Sequence, residues 1–223
     1  MSLILNIDTA LESASVCLAT DKEIIALNSN KNQKDQAAWL HKAITEMLKK
    51  NNFTPNQLNA VAVSIGPGSY TGLRVGLAAA KGLCFALHIP LIAISTLRMM
   101  AFALKDEAIS LICPLIDARR MEVFAAVYDK SLQEKIPAHA LIVNGASFDF
   151  LLSHDKILFG GTGSNKLQPL ILHSNACFSN TSSNAIHLAE LSRICYINNE
   201  FADLAYIEPL YVKDFNSGTT NPD

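Results

Sequence analysis

The chain has 223 residues, half of them hydrophobic, with 18 Lys and Arg against 20 Asp and Glu. This length gives room for one large or two small domains with a substantial core. A net charge of -2 argues against a surface that binds nucleic acid tightly alone, because phosphate neutralisation needs a concentrated positive field. If RNA is involved, we expect a partner to supply most of the contacts.

The first hundred residues predict a mixed set of strands and helices. Three short apolar strands come first, and their connections are too short for crossovers, so we expect an antiparallel meander. A helix with apolar residues at helical spacing follows, then a strand, a second helix and a further strand. In chain order these elements span 3–7, 13–19, 24–27, 36–50, 61–65, 71–87 and 91–94.

The second half repeats this order. Its predicted strands span 109–116, 122–128, 138–143 and 157–159, with a helical stretch at 148–152 before the last strand, which runs into Gly160-Gly161-Thr162-Gly163. An amphipathic helix at 184–197 and a segment at 206–212 close the chain. The duplication predicts two lobes of the actin and sugar-kinase kind, residues 1–100 and 101–216, facing across a cleft. We expect a disordered tail at 217–223.

The most informative motif is the loop between the strand at 61–65 and the helix at 71–87. Gly66, Gly68 and Gly72 allow positive φ and close backbone approach, while Ser69 or Thr71 can cap a helix whose free N–H groups attract an anion. The loop is a candidate phosphate socket, although a plain helix start has the same pattern.

This loop differs from the standard nucleotide motifs. No Lys-Ser or Lys-Thr follows Gly72, and the glycine spacing does not fit the dinucleotide fingerprint. A helix terminus contributes roughly 0.3 to 2 kcal/mol to holding a negative charge, whereas micromolar binding needs about 8 kcal/mol. The loop could therefore form only part of a nucleotide site.

Asp8 ends the first strand and is the leading polar candidate in the cleft. A carboxylate there can hold a metal-bound water or a backbone N–H, and the alternative is that Asp8 only ties down the hairpin to Ser13. Asp117 ends the first strand of the second half, with the same two interpretations. The residues after Asp117 indicate a surface ion-pair cluster rather than a catalytic set, namely Arg119, Arg120 and Glu122.

The helix at 71–87 is apolar nearly all round and rich in small residues, so another helix can come close. We predict that it forms an oligomer interface together with the helix at 36–50, and the alternative is a purely intrachain core. The predicted interface residues are Trp39, Leu40, Ala43 and Met47 on the first helix and Leu73, Gly76, Leu77 and Ala80 on the second.

Catalytic and metal motifs are missing from the sequence. The six histidines form no His-x-x-x-His or His-Glu-x-x-His pair, so metal-dependent chemistry is disfavoured. No Gly-x-Ser-x-Gly elbow is present either. We therefore predict no catalytic residue and no metal ligand.

Cysteine usage and hydropathy bear on location. The five cysteines show no Cys-x-x-Cys pair and lie in apolar surroundings, which is typical of buried, reduced thiols in a cytoplasmic protein. No charged-then-apolar leader opens the chain, and Arg74 and Lys81 interrupt the longest apolar stretch. These features predict a cytoplasmic protein without a membrane span.

Three segments together resemble the bacterial TsaB (YeaZ) family: 4–10, 64–76 and 116–123. The resemblance implies a duplicated fold of the actin, Hsp70 and sugar-kinase kind and a role in forming threonylcarbamoyladenosine in tRNA. In that family the protein is a noncatalytic partner. It dimerises through helices of its first lobe with the metal-bearing TsaD, which carries out the transfer, while TsaE supplies an ATPase and TsaC makes the threonylcarbamoyl-adenylate.

The resemblance also implies site residues and partners. TsaD carries two metal-binding histidines on its first long helix, whereas the helix at 36–50 offers only Gln36 and His41, so peptidase activity is doubtful. No cofactor is required, ATP or ADP could bind at a site shared with TsaD, and tRNA is reached only through the complex. A homodimer, an independent ATP-dependent enzyme and a metallopeptidase stay open as alternatives. The residues implied for nucleotide binding are Asp8, Thr9, Gly66, Gly68, Ser69, Thr71 and Gly72.

Overall fold

The computed structural model describes residues 2–32 and 35–213. The tail predicted at 217–223 lies outside these residues.

The first lobe is built on a five-stranded sheet in the order β3-β2-β1-β4-β5. The first three strands form the predicted antiparallel meander, while β4 pairs in parallel with β1 and β5 in parallel with β4. Parallel pairing requires a long crossover, which the two intervening helices supply. The elements are β1 (Leu3–Asp8), β2 (Ala14–Thr20), β3 (Ile24–Asn30), α1 (Gln36–Lys50), a short 3-10 turn (Pro55–Gln57), β4 (Ala60–Ser64), α2 (Tyr70–Leu87) and β5 (Leu91–Ile94).

The second lobe has a sheet of the same topology, in the order β8-β7-β6-β9-β10. Its first three strands are again an antiparallel meander, and the last two pair in parallel. The predicted duplication of an α/β unit is therefore confirmed. The elements that follow β5 along the chain are α3 (Thr96–Leu104), β6 (Leu111–Asp117), β7 (Glu122–Asp129), β8 (Glu134–Ile142), α4 (Asp149–Leu152), β9 (Ile157–Gly160), α5 (Ser164–Leu167), β10 (Ala176–Ser179) and α6 (Ala185–Ile197).

The last helix returns to the first lobe. The Ser192 hydroxyl of α6 donates a 2.6 Å hydrogen bond to Oδ1 of Asn6, and the Ala185 N–H donates to the Ser15 hydroxyl at 2.9 Å. Leu188 and Leu191 also pack with apolar residues of the first sheet. The predicted assignment of residues 101–216 to the second lobe is therefore wrong for α6, because its buried face covers the first sheet.

The segment after α6, residues 202–213, runs along the first lobe and reaches the second, and we call it the C-terminal strap. The Ala202 N–H donates to the Leu91 carbonyl at 2.8 Å, and the Leu210 N–H donates to the Ile65 carbonyl at 2.7 Å. At its end the Lys213 ammonium lies 2.6 Å from the Glu122 carboxylate on β7. The strap thus links the glycine loop to the second lobe.

All five cysteines are free thiols, and the predicted burial is confirmed for four of them, whereas Cys177 is half-buried. Burial, with a smaller contribution from Glu190, raises the pKa of Cys17 to about 12. In the part of the chain that the structure describes, no helix combines the length and apolar character needed to cross a membrane.

Candidate functional site

The carboxylate of Asp8 is held inside the first lobe. Its side chain is fully buried, and Oδ1 accepts hydrogen bonds from the Ser64 hydroxyl at 2.6 Å and the Ala10 N–H at 3.1 Å. Oδ2 has no hydrogen-bond partner among the described residues. Burial raises the pKa of Asp8 to about 6, against the lowering effect of these two donors. The prediction that Asp8 looks into the cleft is wrong, because this side chain anchors the start of the β1–β2 turn.

Thr9 is likewise part of the interior. Its hydroxyl donates a 2.7 Å hydrogen bond to the Gly72 carbonyl in the first turn of α2. The same hydroxyl lies where a Cβ on Gly76 would overlap it. Thr9 therefore fixes α2 against the end of β1, and its hydroxyl is not exposed to a ligand.

The glycines of the loop allow close packing of the chain on itself. Gly66 has φ +118, and a Cβ there would lie 2.7 Å from the Leu210 carbonyl oxygen of the C-terminal strap. A Cβ on Gly68 would overlap the Ala10 carbonyl, which also accepts a 2.8 Å hydrogen bond from the Ser69 N–H. At these two positions the need for glycine is thus explained by neighbouring backbone.

Three N–H groups of the loop, those of Gly66, Ser69 and Gly72, donate hydrogen bonds within the chain. The Gly66 N–H donates to the Thr96 hydroxyl at 3.1 Å. Ser69 is the N-cap of α2, as one of the two sequence alternatives predicts, and its hydroxyl accepts from the Gly72 N–H at 3.3 Å. Thr71 lies in the first turn with an exposed side chain. Phosphate binding by this loop stays a prediction, and it cannot use the N–H groups of Gly66, Ser69 or Gly72 as they are now bonded.

A cavity of about 330 Å³ opens where the glycine loop, the β6–β7 turn and the C-terminal strap meet, and we call it the basic cavity. Three of its lining residues are cationic. The cavity is lined by Pro67, Gly68, Tyr70 and Leu73 from the loop and α2, by Ala118, Arg119, Arg120, Glu122 and Phe124 from the second lobe, and by Leu210, Tyr211, Val212 and Lys213 from the strap.

Tyr70 and Tyr211, which line the basic cavity, belong to a stack of side chains that also includes Arg74. The Arg74 guanidinium lies 4.0 Å from the centroid of the Tyr70 ring, and its Nε donates to the Tyr211 hydroxyl at 2.9 Å. The two tyrosine rings are 5.2 Å apart. Since cation–π contacts and ring contacts both favour a fixed geometry, this stack holds the strap against α2.

The carboxylates around the β6–β7 turn are already paired with lysines. Asp117 Oδ1 lies 2.6 Å from the Lys166 ammonium and accepts a 2.6 Å hydrogen bond from the Arg119 N–H. Partial burial tends to raise the pKa of Asp117, but these donors outweigh it and hold the pKa below its ordinary value. Glu122 pairs with Lys213.

The predicted ion-pair cluster is therefore wrong for the two arginines. Among residues 2–32 and 35–213, neither the Arg119 nor the Arg120 guanidinium makes a hydrogen bond or an ion pair, and both side chains are exposed. The sequence could not show this, because Lys213 reaches Glu122 from 91 residues away.

A second cavity of about 290 Å³ lies between the lobes, and we call it the polar cavity. It combines the β1–β2 turn of the first lobe with the glycine loop after β9, whereas the basic cavity combines the glycine loop after β4 with the β6–β7 turn. The two cavities are thus counterparts in the duplicated fold. The polar cavity is lined by Leu11, Glu12, Ser13, Met100, Leu104, Gly161, Thr162, Ser164, Asn165, Ser179, Asn180, Thr181, Ser182 and Ser183.

The predicted interface residues lie inside the first lobe. Trp39 is half-buried, and the other seven are buried in the monomer, so they are core residues rather than a contact surface: Leu40, Ala43, Met47, Leu73, Gly76, Leu77 and Ala80. This part of the interface prediction is wrong, because these side chains pack between the helices and the first sheet.

The opposite face of α2 is exposed and carries a different stripe, which we call the outer stripe. Phe85 is 74% exposed, and nothing lies within 4 Å of the position that a Cβ on Gly82 would take. The sequence analysis did not predict the outer stripe. Its residues follow one another at intervals of three or four positions, which places them on one face of the helix. The outer stripe consists of the exposed residues Thr71, Ala78, Gly82 and Phe85, together with Val75, which is half-buried against the core.

Within the described ranges, 2–32 and 35–213, no group of three or more His, Cys, Asp or Glu residues is placed to hold a metal ion. His41, the only histidine on α1, is exposed.

Comparison with known proteins identifies relatives along nearly the whole chain. The tRNA threonylcarbamoyladenosine biosynthesis protein TsaB of Bacillus subtilis is 27% identical over 215 residues, covering 94% of this chain and 93% of that protein. The protein of the same name from Haemophilus influenzae is 27% identical over 228 residues, covering 95% and 93%.

The fold is shared with a solved structure. YeaZ from Pseudomonas aeruginosa superimposes with a TM-score of 0.82 at 23% identity, covering 95% of this chain and all of that one. The family model described as TsaD, tRNA N6-adenosine threonylcarbamoyltransferase, matches residues 25–217. The chain therefore belongs to the TsaD family, as a member of its TsaB (YeaZ) group with a two-lobed, actin-like α/β fold.

Proposed function

We propose that this chain is a noncatalytic subunit of the cytoplasmic machinery that makes threonylcarbamoyladenosine in tRNA, and that it dimerises with a TsaD transferase and activates it. Its relatives from Bacillus subtilis and Haemophilus influenzae are named as biosynthesis proteins for this nucleoside. The observation that carries the dimerisation is the outer stripe of α2.

The outer stripe has the properties of a helix-packing surface. Ala78 and Gly82 are small and exposed, and Phe85 presents a large ring to solvent. Small residues allow a second helix to approach closely, and an exposed apolar face favours coverage by another polypeptide. On α1, which packs beside α2, Ala37, Ala38 and His41 are exposed as well.

The family match supports a partner whose first lobe has the same fold as the first lobe of this chain. Because this chain matches the TsaD family model over residues 25–217, a TsaD protein should present helices equivalent to α1 and α2. Two related lobes can then meet face to face about an approximate two-fold axis, as in isologous interfaces. A second copy of this chain could use the same surface, and a homodimer would then compete with the heterodimer.

The noncatalytic assignment is supported by the end of β1. Asp8 and Thr9, the polar residues that the resemblance implied for a ligand site, are bonded within the chain and line neither cavity. In this proposal TsaD performs the transfer, TsaE and TsaC act in the same pathway, and tRNA is bound only through the complex. The isolated chain requires no cofactor in this proposal. ATP or ADP could bind at a site shared with TsaD, but the dimerisation does not depend on it.

The test is reconstitution with TsaD from the same source, together with TsaC, TsaE, ATP and tRNA. Complex mass and modified tRNA are measured for the wild type and for Gly82→Leu and Phe85→Glu. Both changes should abolish the heterodimer and reduce modification to the level without this chain. Phe150→Glu is the matched control, because Phe150 is also a highly exposed helical phenylalanine, at 79%, on the second lobe.

Several results would contradict the proposal. If the complex still forms after both outer-stripe changes, the interface with TsaD does not lie on the outer stripe. If tRNA is modified at the full rate without this chain, the chain does not activate TsaD. ATP turnover or peptide cleavage by the isolated chain would instead favour an independent actin-like enzyme or a peptidase.

A further inference from the structure

The outer stripe is too small to form a stable interface by itself. From Thr71 to Phe85 it is roughly 21 Å long at a rise of about 1.5 Å per residue, and a helix is about 10 Å wide. Its footprint is therefore on the order of 200 Å², whereas a standard interface buries about 800 Å² on each partner. A partner that covers the outer stripe must also contact the elements beside it.

The C-terminal strap is one of those elements. The Lys81 ammonium on α2 donates to the Ala205 carbonyl at 3.3 Å and to the Ile207 carbonyl at 3.2 Å. These two carbonyls flank Tyr206. Because Lys81 and Phe85 are one helical turn apart and share a side of α2, the backbone of Tyr206 is held beside the last turn of the outer stripe.

The backbone around Tyr206 is fixed by further hydrogen bonds. The Asp203 carboxylate accepts from the Ala205 N–H at 2.8 Å and from the Tyr206 N–H at 3.4 Å. The Ile207 N–H donates to the Asp203 carbonyl at 2.9 Å, and Leu204 and Ile207 pack against the core of the first lobe. The position from which the Tyr206 side chain projects is therefore set before any partner binds.

The side chain of Tyr206 has no role inside the monomer. Tyr206 is 83% exposed, more than Phe85 at 74%. Within residues 2–32 and 35–213 its hydroxyl makes no hydrogen bond and its ring contacts no other ring. A tyrosine on a fixed backbone loses little conformational entropy when a partner covers it, and tyrosine is enriched among the residues that dominate binding energy. Tyr206 therefore has the properties of a contact residue.

The strap also binds the charged side chains of α2. Arg74 and Lys81 are the two charged residues of this helix. The Arg74 Nε donates to the Tyr211 hydroxyl at 2.9 Å, and the Lys81 ammonium is bonded to strap carbonyls. Since a cation that is covered without hydrogen-bond partners is costly, these bonds make this side of α2 easier for an apolar surface to cover.

We propose that the C-terminal strap is part of the surface that binds TsaD, and that Tyr206 contacts TsaD beside Phe85. This inference rests on the proposed function and extends its interface beyond the two helices. A first lobe of the same fold, which the family match over residues 25–217 supports, offers a pair of helices. Packed helices lie about 8 to 10 Å apart, so such a pair is wide enough to cover both the outer stripe and the strap next to it.

The experiment is a calorimetric titration of the full chain into TsaD from the same source, which gives the Kd for wild type, Tyr206→Ala, Tyr206→Phe and Phe85→Glu. Tyr206→Ala should weaken binding at least tenfold, and Tyr206→Phe should keep most of the affinity because it keeps the ring. The Tm of isolated Tyr206→Ala should equal that of the wild type. Phe150→Ala removes another highly exposed aromatic ring, on the second lobe, and should leave the Kd unchanged.

The other outcomes overturn the inference in distinguishable ways. If Phe85→Glu prevents binding but Tyr206→Ala leaves the Kd unchanged, the strap is not part of the surface, while the proposed function stands. If the wild-type chain does not bind TsaD, the proposed function fails and this inference fails with it. Equal weakening by Phe150→Ala, or a lower Tm for Tyr206→Ala, would show that the loss does not come from a contact at the strap. If Tyr206→Ala weakens only self-association, the surface serves a second copy of this chain.

Discussion

The Ser64 hydroxyl donates a 2.6 Å hydrogen bond to Oδ1 of Asp8, joining the ends of two neighbouring parallel strands, β1 and β4, in the interior of the first lobe. Oδ2 of the same carboxylate has no partner among the described residues. A buried carboxylate with one unpaired oxygen is costly when it is ionised. Asp8 should therefore contribute to the pH dependence of the protein's stability.

Replacing Asp8 with Asn should remove the contribution of this group to the pH dependence of stability. The pKa of Asp8 is about 6 in the folded protein, above its ordinary value of 3.8, so the folded state binds the proton more tightly than the unfolded chain. The contribution of Asp8 to the free energy of unfolding is therefore fully present below about pH 4 and is lost as the pH rises through about 6. The loss is on the order of 3 kcal/mol.

The measurement is urea unfolding at several pH values for wild type and Asp8→Asn. Because other groups titrate too, the informative quantity is the difference between the two curves, which should change between about pH 4 and 6 and be flat above about pH 7. Glu46→Gln, which removes an exposed carboxylate on α1, should give a much smaller difference. Parallel wild-type and Asp8→Asn curves over the whole range would show that Asp8 titrates normally.

Two glycines on α2 should respond in opposite ways to alanine. A Cβ on Gly76 would overlap the Thr9 hydroxyl, which is fixed by its hydrogen bond to Gly72 and by the stiffness of a β-branched side chain. Overpacking of this kind costs about 1 to 3 kcal/mol. Gly82 faces open space, so Gly82→Ala should stabilise the isolated chain by up to about 1 kcal/mol through helix propensity.

Thermal unfolding of the two variants tests this contrast, with a lower Tm for Gly76→Ala and a Tm equal to or above the wild type for Gly82→Ala. A shift of both values in the same direction would mean that the two faces of α2 are not as different as described. The same pair explains why Gly76 cannot be used to probe an interface, since its substitution acts on the monomer.

Helix α6 should depend on one buried polar contact for its position on the first sheet. The Ser192 hydroxyl donates to Oδ1 of Asn6 at 2.6 Å, and the Asn6 amide is oriented by the carbonyls of Ile4 and Cys17. Ser192→Ala leaves that buried oxygen unpaired, which costs about 1 to 3 kcal/mol. Ser182→Ala, at an exposed serine, is the control, and equal unfolding midpoints in urea for both variants would count against the anchoring role.

The sequence predicted the periodic elements well and the irregular ones poorly. The bounds of α1 agree with the prediction because its apolar residues recur at helical spacing. Helix α3 was not predicted, since six of its nine residues are buried and it has no wide polar face to give a period. Strand β10 has four residues, which is too short for a reliable alternation.

The candidate site was harder to predict than the fold. That Asp8 and Thr9 end a strand was readable, but whether their side chains face the cleft or the core depends on Ser64, Ala10 and Gly72, which only the fold brings together. The basic cavity was not predicted because its walls are far apart in sequence: Tyr211, which lines it, is held against α2 by Arg74, which precedes it by 137 positions.

The turn at Arg119 and Arg120 yields a prediction about stability. Left-handed conformations at non-glycine residues cost of order 1 kcal/mol or more each, and both arginines adopt one. Arg119→Asn with Arg120→Gly should relieve that cost and raise the free energy of unfolding by about 1 to 3 kcal/mol, while the hydrogen bond from the residue 119 N–H to Asp117 can be kept. Urea unfolding measures the gain, and Lys49→Gln with Lys50→Gln should show none. A destabilised Arg119→Asn, Arg120→Gly variant would mean that the left-handed backbone at these two residues carries no free-energy cost that glycine or asparagine can relieve.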